Sequence, residues 1–247
     1  MNQKLIVGNW KMNTTLNEAR ELSNALVSLQ VSQTQIVLCP PSVNLTTVGE
    51  IIKGSQILLG AQNCYYESKG AFTGEISPEM LVSVGCRYVI IGHSERRHIF
   101  NETNEMIQKK VRAAITAGLI PILCVGETLD ERNSNITLSV IETQINEATH
   151  QLFEKGIFSI VIAYEPVWAI GTGLSATPEQ AEEIHRFIRN TISQQYGNNT
   201  LQIPILYGGS VNESNAQSLL EQPSIDGFLV GGASLKPESF LAICSAG

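Results

Sequence analysis

Residues 158–197 read FSIVIAYEPVWAIGTGLSATPEQAEEIHRFIRNTISQQYG, and this stretch decides the fold. It opens on a short apolar run that ends in a single carboxylate, Glu165, followed at once by Pro166. The run lacks strict apolar/polar alternation, the pattern of a strand buried on both faces in a parallel sheet. The end of the stretch is helical in its spacing. Thr177 is a good N-cap, Pro178 suits the first helical position and Gln180 completes a capping box. Ala181, Ile184, Ile188 and Ile192 form a stripe for burial, and Gly197 is placed to end the helix. Strand, then helix, is one unit of a parallel α/β fold.

The same unit recurs along the chain. KLIVGNW, QIVLCP, QILLGAQN, RYVIIGH, IPILCVGE, FSIVIAYE, IPILYGG and IDGFLVGG are eight short apolar runs separated by longer segments with helical spacing. Residues 15–29 are an example: Leu16, Ala19, Leu22, Leu26 and Leu29 share one face, and Thr15 with Glu18 makes a capping-box pattern. No Pro/Gly/Ser linker, low-complexity tract or composition break divides the 247 residues. Strand then helix, eight times, predicts a single (β/α)8 barrel spanning residues 1–247, the TIM-barrel architecture, with a doubly wound open sheet as the alternative.

The formal net charge of -7 argues against nucleic-acid and anionic-membrane partners. A small anionic substrate needs only a locally positive pocket. The five cysteines, Cys39, Cys64, Cys86, Cys124 and Cys244, form no CxxC or Cys/His cluster, so a disulfide framework and a zinc site are not expected. With too short an apolar run at the N-terminus for a signal peptide and none of membrane-spanning length, the expected setting is reducing and cytoplasmic.

In such a barrel, chemistry sits where strands end and the following loops begin. Polar residues collect there: Asn9 and Lys11 after the first run, His93, Ser94 and Glu95 after the fourth, Cys124 and Glu127 at the fifth, Glu165 at the sixth. Gly208, Gly209 and Ser210 follow the seventh, and Gly231 and Gly232 the eighth. All are expected to face one mouth. Singly, each has an ordinary reading: a solvated lysine, a core histidine, a turn carboxylate, loop punctuation, and for Cys124 a packing residue. Together they place a base, a cation, an imidazole and two backbone cradles at one opening. Paired glycines expose backbone N–H groups that bind phosphate, and the last two loops are the usual phosphate site of this architecture. There is no GxxxxGK[ST] motif. Gly171, Gly173 and Ala176 match a G-x-G-x-x-A fingerprint, but they lie beyond the strand, and no acid falls about 20 residues on, so NAD binding is rejected.

GNWKMN, GHSERRHIF, AYEPVWAIGTG, YGGSV and VGGASLKPE together resemble the triosephosphate isomerase family, in the family's order and over practically the whole chain. The resemblance implies interconversion of dihydroxyacetone phosphate and glyceraldehyde 3-phosphate, in glycolysis and gluconeogenesis, without metal or cofactor. It makes Glu165 the catalytic base, His93 the electrophile, Lys11 the enediolate-stabilising cation, Asn9 a partner of the reacting oxygens and Glu95 a residue bonded to Lys11. Gly171, Ser210, Gly231 and Gly232 become phosphate-binding backbone donors. Pro166, Val167, Trp168, Ala169, Ile170, Gly171, Thr172 and Gly173 become a lid. It also implies a homodimer in which Thr73, on the loop GAFTGEIS, reaches the partner's site and Glu75 pairs with the partner's Arg96. Thr14 stands where the family often has Gly, a departure that bears on the first helix cap and not on chemistry.

Other classes fit parts of the pattern. A Schiff-base aldolase would use Lys11 as an amine nucleophile. A phosphate-metabolite binder would not need a base at Glu165. A structural or adhesive role would be additional to either.

Overall fold

Eight parallel strands close into a ring in the computed structural model, which describes residues 3–27, 34–170 and 175–247. They are β1 (Lys4–Asn9), β2 (Thr34–Cys39), β3 (Ile57–Ala61), β4 (Tyr88–Ile91), β5 (Ile120–Val125), β6 (Val161–Tyr164), β7 (Ile205–Tyr207) and β8 (Gly227–Val230). Each pairs with its sequence neighbours, and β8 pairs back to β1 with Leu5 opposite Gly227. The expected barrel is therefore present and the open sheet is not. All eight apolar runs became strands, because the ring has an inside and an outside and both are dry.

Ten α-helices lie among the described residues: α1 (Leu16–Val27), α2 (Leu45–Ile52), α3 (Pro78–Ser83), α4 (Ser94–His98), α5 (Asn104–Thr116), α6 (Leu129–Asn133), α7 (Thr137–Phe153), α8 (Pro178–Tyr196), α9 (Ala216–Leu220) and α10 (Pro237–Cys244). The strict strand–helix alternation is decorated: β4 and β5 are each followed by a short helix before a long one. The capping box of α8 forms as read, with Thr177 accepting from the Gln180 N–H, and Gly197 ends the helix at φ 85°. At α1 the Thr15 N–H donates to Glu18 at 2.7 Å. Two details differ from the sequence reading. Leu16 is exposed although it belongs to the stripe, and Leu29 lies outside the described residues. Thr14 takes φ 80°, a left-handed conformation that a β-branched residue adopts only under strain. Asn44 braces it by donating to its carbonyl at 3.0 Å.

Burial divides by strand parity. Leu5, Val7, Val37, Cys39, Tyr88, Ile90, Ile122, Cys124, Val161, Ala163, Leu206 and Leu229 form the core inside the ring. Ile6, Leu38, Val89, Leu123, Ile162 and Phe228 face outward into the larger layer shared with the helices. Successive strand side chains alternate between faces, so the next inward position on each strand is set in advance. Asn9 follows Leu5 and Val7, Glu165 follows Val161 and Ala163, and Gly126, Gly208 and Gly231 take the matching places on β5, β7 and β8.

One core residue on α8 is titratable. His185 is fully buried, its ring edge-on to Tyr164 at 6.0 Å and tilted against Tyr207 at 6.4 Å. Its Nδ1 lies 3.3 Å from the Ser224 carbonyl oxygen. Burial, helped by the nearby Arg189 charge and opposed by backbone hydrogen bonds, pushes its pKa down to about 3. The unfolded chain takes up this proton near pH 6.5 and the native state does not, so stability falls as pH drops from about 6.5 toward 3, with a limiting slope of roughly 1.4 kcal/mol per pH unit. In urea unfolding at about pH 7 and pH 5, the loss on acidification should be smaller by roughly 2 kcal/mol in His185→Gln. An equal loss in both proteins would show that His185 is not the group responsible.

Candidate active site

Glu165 is the first residue past β6 and keeps the inward parity of its strand, which puts its carboxylate at the open end of the ring. It is 2 % exposed. A carboxylate there needs donors, and among the described residues the Ser94 N–H donates to Oε2 at 2.9 Å and His93 Nε2 lies 3.0 Å from Oε1. His93 reaches the same place by a break in parity. Gly92 at the end of β4 takes φ 72°, and His93 becomes the N-cap of α4. Its Nδ1 accepts the Glu95 N–H at 3.2 Å. Nδ1 is therefore an acceptor and Nε2 the donor, which is the neutral tautomer.

Lys11 lies two residues beyond Asn9 and adopts φ 52°. Its N–H donates to Asn9 Oδ1 at 3.0 Å, and its carbonyl accepts Gln62 Nε2 at 2.8 Å. That backbone clamp aims Lys11 Nζ at Glu95, 2.7 Å from Oε1. Although burial opposes it, the hydrogen bond and charge of Lys11, with His93 nearby, hold the Glu95 carboxyl below its usual pKa. Lys11 is thus not the freely solvated lysine that it could be when read alone.

Asn9, Lys11, His93 and Glu165 line one cavity of about 320 Å³ with Ile170, Gly208, Gly209, Ser210, Gly231 and Gly232. Four sequence-picked groups and both glycine pairs do converge on one mouth. The glycines also make room. A Cβ on Gly208 would lie 3.0 Å from Glu165 Cγ, and one on Gly209 would lie 2.2 Å from the Tyr207 hydroxyl oxygen. Around Gly232, by contrast, a Cβ would meet nothing within 4 Å, so its backbone borders open space at the start of a 3₁₀ turn, Gly232–Leu235. An incoming anion can meet that backbone directly.

Glu127 does not join this mouth. It is one step out of phase with Ile122 and Cys124, and its fully buried carboxylate turns away beneath the residues that follow Glu165. There Oε1 accepts Trp168 Nε1 at 2.9 Å, Arg132 Nη1 at 3.0 Å and the Tyr164 hydroxyl at 3.2 Å. The Arg132 guanidinium stacks on the Trp168 ring at 4.6 Å, and the Val167 N–H bonds to the Glu127 carbonyl at 3.1 Å. Burial and the Glu127 charge push the Tyr164 phenol up in pKa. On the other side, Ser210 Oγ donates to the Ala169 carbonyl at 2.9 Å. Pro166, Val167, Trp168, Ala169 and Ile170 are therefore tied down at both flanks, while Gly171, Thr172 and Gly173 lie outside the described residues. Cys124 packs inside the barrel as expected, and burial with the Glu165 charge drives its thiol pKa well up.

Sequence reasoning missed Ser94 as the backbone donor to Glu165, Gln62 as the clamp on Lys11, and the role of Glu127. Ser94 carried one signal, its place at the start of the helix after His93. Gln62 carried only its inward parity beyond β3.

Among the described residues, no group of three or more His, Cys, Asp or Glu is arranged to hold a metal ion. No helix among them is long and apolar enough to cross a membrane. A buried carboxylate facing a neutral imidazole, a lysine ammonium and an anion cradle defines a barrel enzyme that moves protons on a phosphorylated substrate. The sequence profile of the triosephosphate isomerase family matches residues 4–247. Triosephosphate isomerase of Aquifex aeolicus is 52% identical over 98% of this chain and 98% of its own. That of Endomicrobium trichonymphae is 52% identical over 97% of each chain, and that of Dehalococcoides mccartyi 52% over 99% and 97%. The chain belongs to the triosephosphate isomerase family and is an enzyme, an intramolecular aldose–ketose isomerase.

The Glu127 contacts can be weighed directly. Glu127→Gln should keep the fold yet lose charge-assisted bonds to Arg132 and Trp168, lowering stability by about 1.5–3 kcal/mol. Urea unfolding followed by tryptophan emission measures this, and an unchanged midpoint would mean that the buried carboxylate contributes nothing net.

Proposed function

We propose that the chain interconverts dihydroxyacetone phosphate and D-glyceraldehyde 3-phosphate through an enediolate, as one catalytic domain over residues 1–247 and as the triose-phosphate step of glycolysis and gluconeogenesis. The observation that carries the reading is the 3.0 Å contact between His93 Nε2 and Glu165, with His93 Nδ1 already occupied as an acceptor. Without substrate, base and electrophile are bonded to each other. A substrate entering the cavity separates them: its oxygens take over the His93 Nε2 donor, and Glu165 turns to the carbon. Glu165 then exchanges its contacts with the Ser94 N–H and His93 Nε2 for the substrate carbon.

Glu165 carries a proton between the two adjacent carbons. His93 moves one between the two oxygens, while Lys11 and Asn9 stabilise the negative charge that builds on them, and Glu95 holds Lys11 in place. The phosphate sits on the backbone of Gly171, Ser210, Gly231 and Gly232. Residues 166–173 act as a lid that excludes water and retains the phosphate, and such gating is well known, with this family's lid a standard case of it. Lys11 and His93 supply the charge stabilisation that a metal would otherwise give, so the reaction calls for neither metal nor cofactor. Lys11 in ion pair with Glu95 is charged and unsuited to attack a carbonyl, which disfavours the aldolase reading.

The active form is proposed to be a homodimer in the cytoplasm, without nucleic-acid or membrane partners. Met12, Val43, Ile99 and Phe100 are large apolar side chains left 96, 82, 66 and 61 % exposed around the loops that border the site. Thr73 and Glu75 stand on an exposed loop, and Glu75 shares a cleft with Lys11, Glu95 and Arg96. Within its own chain Arg96 bonds to Glu102 and lies over the Phe100 ring at 4.8 Å. A partner's loop seated there would cover the apolar rim, place Thr73 by the neighbouring site and pair Glu75 with the partner's Arg96.

In a coupled assay with triose phosphate, Glu165→Ala should lose about 10²–10⁴-fold in rate and Lys11→Met about 10²–10³-fold, each still folded. Dialysis against EDTA should leave the wild-type rate unchanged. Near-wild-type turnover by Glu165→Ala would overturn the mechanism. Deleting residues 168–171 should slow isomerisation and release more inorganic phosphate, and a deletion that leaves both rates alone would remove the lid. Sedimentation at micromolar concentration should show two chains; a fully active monomer would refute the dimer.

A further inference from the structure

Gly126 is the next inward position past Ile122 and Cys124, and it abuts the backbone of Glu165. A Cβ there would lie 1.7 Å from the Glu165 carbonyl oxygen and 2.7 Å from its carbonyl carbon. The ladder between β5 and β6 reaches this point with the Glu165 N–H bonded to the Val125 carbonyl at 2.8 Å. The Gly126 backbone is gripped from outside the ring. Gln144, on the inner face of α7, accepts the Gly126 N–H through Oε1 at 2.8 Å and donates through Nε2 to the Gly126 carbonyl at 3.1 Å.

Gln144 is an unusual choice for its place. It is 9 % exposed and shares its helix face with Ile141, Ile145 and Ala148. An apolar residue would continue that stripe, whereas a buried amide is destabilising unless both ends are bonded. Both ends go to one residue, Gly126. On one side of Gly126 stands the backbone of Glu165. On the other stands Glu127, which holds Trp168, Arg132 and Tyr164.

We propose that Gln144 is a positioning residue for the isomerisation. It touches no substrate. Its side-chain amide fixes the Gly126 N–H and C=O, and so the two peptide groups that meet at Gly126, and through them the placement of the Glu165 backbone and of the Glu127 contacts to Trp168. The role calls for one donor and one acceptor on a single side chain, which Gln provides and a carboxylate provides only when protonated. The inference rests on the assignment of Glu165 as the base.

The test compares Gln144→Met, Gln144→Glu and Glu165→Ala in steady-state assays across about pH 5.5 to 8.5. Gln144→Met has similar volume and neither hydrogen bond. It should fold by circular dichroism and lose about tenfold or more in kcat with KM within about threefold, because a misplacement of about 1 Å costs on the order of 10²-fold. Gln144→Glu keeps the acceptor and regains the donor on protonation. Its kcat should exceed that of Gln144→Met and, relative to wild type, decline as pH rises. A folded Gln144→Met with kcat within about twofold of wild type, or with a raised KM alone, would overturn the proposal. If Gln144→Met does not fold, a pH-independent ratio of Gln144→Glu to wild type overturns it instead, and failure of both to fold leaves Gln144 a structural residue and the proposal wrong. Glu165→Ala separates the two claims. If it stays active, the base assignment fails; if it loses rate while Gln144→Met does not, only the role of Gln144 fails.

Discussion

Closure of eight parallel strands into one ring is the constraint on which the rest of the structure depends. Closure gives every strand an inner face, and alternation of side chains then assigns each residue to the inside or the outside. Leu5, Val7, Val161, Ala163 and Cys124 fill the interior. One step further along the same inner faces the filling stops and the mouth begins. Glu165 and Asn9 are polar for that reason, since they sit at the first level where an inward side chain meets a cavity instead of another layer of core.

Where parity alone would put the wrong group in the mouth, the backbone departs from strand geometry. Gly92 at φ 72° resets the phase so that His93, not its predecessor, faces Glu165. Lys11 at φ 52° is held between Asn9 and Gln62 and so points its ammonium at Glu95. Left-handed conformation at a lysine is unfavourable, and here two hydrogen bonds hold it, one to Asn9 at the end of its own strand and one from Gln62 just past β3. The inner glycines complete the arrangement by absence. At Gly126 and Gly208 any side chain would intrude on Glu165.

The level behind the site was the least legible in the sequence. The strands, their order, the α8 cap and the convergence of Asn9, Lys11, His93, Glu165 and the two glycine pairs could all be read from local patterns. Glu127 could not. It ends a strand just as Glu165 does, and only its opposite phase sends it beneath Trp168. Gln144 and Gln62 were equally silent, because a lone amide in a helix or at a strand end has no signature until its partner is known. Leu16 matched the helical stripe yet stayed exposed, since periodicity reports which face a residue lies on and not how far the barrel extends beneath it.

The sequence by itself determined what depends on neighbours along the chain: the strands and helices, their caps, the barrel they imply and the identity of the residues at each strand end. Tertiary structure decided what depends on residues far apart in the chain. The tautomer of His93 follows from the Glu95 N–H on one side and Glu165 on the other. Glu165 takes the Ser94 N–H and Glu127 the Trp168 indole from other βα units, and Gly126 takes Gln144 from 18 residues on, across the helix layer. The reason is physical. Hydrophobic period and capping are set within a few residues, whereas a buried carboxylate or amide takes its properties from whichever donors the closed ring brings within about 3 Å.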